Sequence, residues 1–137
     1  MNTVRMLGLV SALTLAAAPA FAAPPLSVVG VWQGVSNQTT VRIIITAQGG
    51  LGTCRVIAGA MQNIPAGGAS TISGWYCPAT GRISFQRRLP LTNDAIQAYL
   101  GNVGDDGLID RMGGTFSAYP VPAGGGVPGE YNFGVTR

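Results

Sequence analysis

The chain has 137 residues, 21 of them Gly and 9 Pro, and a net charge of +3 from eight arginines set against five carboxylates, with no histidine and no lysine. Without His there is no Ser-His-Asp triad, no Cys-His pair and no imidazole base or metal ligand. Without Lys there is no P-loop and no Schiff-base chemistry. The arginines are scattered and the excess charge is small, so the balance does not point to nucleic acid.

Met1 to Ala22 reads as a secretory signal. Arg5 supplies the positive start, Leu7 to Ala18 is an apolar run, and Ala20-Phe21-Ala22 provides small residues for cleavage. The run is shorter than the ~20 residues that span a bilayer. No Cys stands near the cleavage site, which argues against a lipid anchor. Cleavage after Ala22 predicts one domain over 23–137, that is 137 − 22 = 115 residues, with no membrane span and a charge of +2 once Arg5 is removed. Export places it in the periplasm or outside the cell. Ala23-Pro24-Pro25-Leu26-Ser27 reads as a stiff, extended spacer.

The mature chain shows no apolar recurrence at three and four residues, so no amphipathic helix is predicted. Short β-prone runs alternate with turn signals instead. They are Val29–Val35, Thr40–Ala47, Leu51–Ala60, Ser70–Cys77, Arg82–Leu89, Ala95–Val103, Leu108–Tyr119 and Glu130–Arg137. Gln48-Gly49-Gly50, Pro78–Gly81 and Gly104–Gly107 read as turns. Pro120 to Gly129 reads as a long loop. Cys54 and Cys77 lie on consecutive strands. If these pair about a loop centred between residues 65 and 66, partners sum to 131, and 54 + 77 = 131. The two cysteines then face each other, and an oxidising compartment makes them a disulfide. Redox or metal use is not expected, because there is no Cys-x-x-Cys and no third ligand. Eight strands in hairpin succession predict an all-β fold, a single eight-stranded antiparallel up-and-down barrel or a flattened meander of the same order.

Gly30-Val31-Trp32 opens the first strand and Thr136-Arg137 ends the last. This pairing resembles the calycin superfamily: avidins, lipocalins, fatty-acid-binding proteins and certain bacterial protease inhibitors. The resemblance implies that Trp32 plugs one end of the barrel beneath the Arg137 guanidinium, as a structural pair. Length and short loops are most similar to the avidin type. The biotin-contacting pattern is not matched: Gly34 and Gln38 stand where avidins carry Asn and Ser, and Trp75 is the sole further tryptophan. Bacterial metalloprotease inhibitors of this architecture act through an extended N-terminal arm, and Ala23–Ser27 is the corresponding stretch.

Arg87 shares its parity with Ile83, Phe85 and Leu89, the apolar side of its strand. Facing the lumen, it needs a carboxylate or an anionic ligand; at a bend it would reach solvent at the rim. Tyr99 and Tyr131 are candidate polar neighbours. Asp105, Asp106 and Asp110 read as turn chemistry, not as a metal site. The sequence thus predicts an exported, non-enzymatic binding protein with no cofactor. Its partner is a small apolar or anionic ligand, or a secreted enzyme. The alternatives are an inhibitor of a secreted or periplasmic protease or lysozyme, and a structural envelope-associated protein.

Overall fold

A computed structural model describes residues 23–65, 67–88, 96–119 and 127–137. The predicted signal segment and Asp94 lie outside the described residues. Eight strands, β1 (Gly30–Ser36), β2 (Thr39–Gly49), β3 (Arg55–Asn63), β4 (Ser70–Cys77), β5 (Arg82–Arg88), β6 (Ile96–Asp105), β7 (Asp110–Tyr119) and β8 (Gly129–Thr136), form a closed antiparallel barrel in sequence order. β8 returns to β1 and leaves no open sheet edge.

Alternation decides which residues fill the lumen. Trp32, Ile43, Ile57, Tyr76, Ile83, Phe85, Tyr99 and Met112 point inward and are fully buried. The outward positions mix polar residues, among them Gln33, Arg42, Gln62, Ser73, Gln86, Asn102 and Asn132, with exposed apolar ones such as Val31, Val35, Val56, Trp75 and Leu100.

The cysteine register is as the sequence indicates. Arg55 pairs with Tyr76, and one step beyond, Cys54 is bonded to Cys77. Several boundaries differ: β3 is Arg55–Asn63 where the sequence predicts Leu51–Ala60, so Cys54 lies just before the strand, and β7 begins at Asp110 where the sequence predicts Leu108. β2 runs on to Gly49, because an irregularity between Ile45 and Ala47 absorbs a residue and lets pairing with β3 continue as far as Gly49↔Val56. The expected turn at Gln48–Gly50 is therefore a longer connection over 50–54. The β1–β2 link, which carries no Gly, is a tight turn at Asn37-Gln38 with φ of +42° and +67°.

The barrel has two unlike ends. At the base, where β1 begins and β8 ends, the segment before β1 folds across the opening. Val28 is fully buried, and the Trp32 indole donates to its carbonyl at 2.9 Å. Gln48 donates to Leu26 O and accepts from Val28 N, both at 2.9 Å. The Tyr76 hydroxyl donates to Pro25 O at 2.5 Å. The Arg137 guanidinium lies 4.7 Å over the Trp32 ring, donates to Val29 O and Ser27 O, and is ion-paired to Asp110 at 2.6 Å. The Cys54–Cys77 disulfide sits at this end too. The stretch before β1 is thus a plug in the structure, where the sequence suggested a spacer.

Candidate functional site

At the opposite end, the mouth, the lumen becomes polar. Five strands deliver side chains to one level: Ser36 closes β1, Asn63 closes β3, Ser70 opens β4, Arg87 lies near the end of β5, and Gln97 and Tyr99 lie near the start of β6. Because neighbouring strands run antiparallel, these positions are scattered along the sequence and meet only on closure.

Arg87 points inward and is only 4 % exposed. Its Nη1 donates to Asn63 Oδ1 at 3.1 Å and to Gln97 Oε1 at 3.4 Å. The Tyr99 hydroxyl donates to the same Gln97 oxygen at 2.9 Å and lies 3.3 Å from Ser36 Oγ. A hydrogen-bonded chain thus crosses the mouth, from Ser36 through Tyr99, Gln97 and Arg87 to Asn63. Two of its surroundings are unsatisfied: Arg87 Nε and Ser70 Oγ are buried without a partner. Burial holds the Tyr99 phenol above its ordinary pKa, opposed by Ser36 and Arg87.

The chain rests on an aromatic layer. The Tyr99 ring stacks between Phe85 at 4.6 Å and Phe116 at 4.7 Å. Phe133 meets Tyr99 edge-on at 5.2 Å, and Tyr131 lies 5.2 Å from Phe116. Tyr131 is half-buried and spends its hydroxyl on Val127 O at 3.1 Å. Beside this layer, at the outer edge of the β1–β8 rim, lies an open cavity of about 480 Å³, lined by Val35, Asn37, Gln38, Glu130, Tyr131 and Phe133 among others and by none of the polar chain's own side chains. Ser36 stands between the two, next to Val35 and Asn37 in sequence and opposite Phe133 across the β1–β8 ladder.

The structure therefore brings Arg87 and Tyr99 together and joins Tyr131 to them only through the aromatic layer. Asn63, Gln97, Ser36 and Ser70 were not singled out in the sequence. Strand parity gives the side of a residue but not its height in the barrel. Trp32, Arg137, Cys54 and Cys77 are all at the base, at the far end from this site. Asp105 and Asp106 bond to turn amides: Gly107 N at 2.6 Å for the first, Leu108 N and Ile109 N for the second. Those two amides, with Arg111 at 3.0 Å, hold the Asp106 carboxyl below its ordinary pKa. Among the described residues no group of three His, Cys, Asp or Glu is placed to hold a metal ion.

No family model matches the chain, and no curated protein matches it. Among solved structures it is similar to apo shwanavidin, at 15% identity and a TM-score of 0.56, over 79% of this chain and 99% of that one. The likeness establishes a calycin or avidin-like barrel architecture.

Proposed function

We propose that this avidin-like barrel is an exported, non-enzymatic binding protein that takes a small ligand at its mouth. One observation carries the reading: a hydrogen-bonded chain around a buried arginine crosses the mouth beside an open cavity, while the base is plugged by apolar packing and by its own N-terminal segment. A fixed set of polar groups on an apolar bed is how small-molecule sites confer orientation. The chain has no imidazole and no lysine amine to activate a nucleophile, which supports binding over catalysis. The disulfide fits an oxidising compartment. An arm-based inhibitor is the weaker reading, because the carbonyls of Pro25, Leu26, Ser27, Val28 and Val29 are already held by barrel side chains.

Native mass spectrometry of the protein recovered from the exported fraction of its own cells tests this. The expected result is a chain beginning at Ala23 that carries a small-molecule adduct, and an Arg87→Gln chain without it. A wild-type chain that retains nothing, or an adduct unaffected by changes at Arg87 and Tyr99, overturns the reading.

A further inference from the structure

We infer that the Nε/Nη2 edge of Arg87 is a receptor for one carboxylate group, so that the ligand of the mouth site is a small monocarboxylate. This rests on the mouth-binding reading and adds the chemistry of the ligand to it.

The argument starts from the guanidinium. It has three N–H-bearing corners in one plane and five donors. The Nη1 corner is spent on two neutral amide oxygens, Asn63 Oδ1 from β3 and Gln97 Oε1 from β6. Held from opposite sides, the plane is fixed. The Gln97 oxygen is itself saturated, since it also accepts from Tyr99. Nε is buried with no acceptor, and Nη2 has no hydrogen bond to a described residue. The N–H bonds of Nε and Nη2 run parallel at the spacing of two carboxylate oxygens, which makes this edge a bidentate fork. Ser70 adds a further donor. It stands on β4, between the strands of Asn63 and Arg87, and its hydroxyl is buried without a partner.

Charge points the same way. A buried guanidinium needs an anion. The described carboxylates do not meet Arg87: Asp106 pairs with Arg111 and Asp110 with Arg137 at the base, Asp105 serves its turn, and Glu130 is exposed on the outward side of β8, where it lines the outer rim cavity. The site offers a single cation, for the sequence has no lysine and Arg88 points outward. One positive charge on a planar fork matches a planar monoanion, and falls short of what a sulfate or phosphate dianion requires. The aromatic layer of Phe85, Tyr99 and Phe116 suits an apolar body behind the carboxylate.

The test uses purified protein with ¹⁵N-labelled arginine side chains. The Arg87 Nε–Hε signal is assigned by its loss in Arg87→Lys and followed during titration at constant ionic strength with sodium benzoate, benzamide or sodium sulfate. Benzoate is expected to move the Arg87 signal saturably and to raise the melting temperature. Benzamide, the neutral isostere, is expected to bind at least tenfold more weakly, and sulfate more weakly than benzoate. Ser70→Ala should weaken benzoate several-fold. Equal binding of benzoate and benzamide overturns the carboxylate inference and leaves a mouth site standing. So does an Asp94→Asn chain that binds benzoate where the wild type does not, because Asp94 then fills the fork. Failure of every probe to move the Arg87 signal also overturns it. In that case an adduct retained in native mass spectrometry preserves the mouth-binding reading, and its absence removes both.

Discussion

Gln38 holds φ at +67° without being glycine, directly after Asn37 at +42°. Asn tolerates this region, but for a residue with a longer side chain it costs ~1 kcal/mol or more. Gln38→Gly should therefore raise stability by about 1 kcal/mol, read as a higher denaturant midpoint with unchanged slope. A neutral result would mean that Gln38 makes compensating contacts at the rim cavity it lines. Tyr76 governs the alkaline limit. Burial at the base and the nearby Asp110 push its phenol up to about 12 from an ordinary 10, against the opposing Arg137 charge. The unfolded chain then loses this proton before the folded one does, so stability falls as pH rises from about 10 towards 12. Burial of Tyr99 acts in the same direction. Alkaline denaturation followed by urea midpoints should show the decline starting near pH 10. Tyr76→Phe should flatten it; an unchanged slope would place the titrating group elsewhere.

At the level of elements, the segment before β1 is the unexpected one. It spells Pro24-Pro25, which reads as a spacer, and local sequence gives no sign of the side chains that capture it. Those come from Gln48 of β2, Tyr76 of β4 and the C-terminal Arg137, which are far away in sequence. The cysteine hairpin was legible for the opposite reason: a hairpin register is set by its own turn, so positions 54 and 77 could be matched by addition. Parity put Arg87 on the apolar side of its strand but left open whether it faced the lumen or bent out to solvent at the rim, and its partners required knowledge of how strands stagger around the closed sheet. The plug makes a definite demand. Val28→Ala removes a fully buried side chain and should cost about 2 kcal/mol, measured by urea unfolding. Indifference to this change would return the segment to the role of spacer. Reduction of Cys54–Cys77, which spans 23 residues, should cost ~3 kcal/mol by loop entropy.

For the whole molecule, the telling feature is where the barrel closes. β1 and β8 share four paired positions, Gln33↔Thr136 to Ser36↔Phe133, whereas β6 and β7 share ten from Ile96↔Tyr119 to Asp105↔Asp110. The closing seam also joins strands from opposite ends of the described chain, so it carries the largest loop-closure entropy. It is a seam of close backbone approach: a Cβ at Gly34 would fall 2.1 Å from Gly134 O and 2.7 Å from Val135 Cα. Across the same seam Gly134 faces open space, with nothing within 4 Å of its would-be Cβ. The two glycines thus form a matched pair for a test. Gly34→Ala must force β1 and β8 apart, at a cost of about 2 kcal/mol, and hydrogen exchange should show early loss of protection at Val35 and Val135 while the β6–β7 ladder stays protected. Gly134→Ala adds the same methyl on the open side and should leave both exchange pattern and stability nearly unchanged. Because Ser36 ends β1 at this seam and contacts Tyr99, parting the strands should also loosen the polar chain at the mouth, seen as weaker benzoate binding in Gly34→Ala. Equal effects from the two substitutions would show that the seam tolerates separation and that closure of the barrel does not set the geometry of the site.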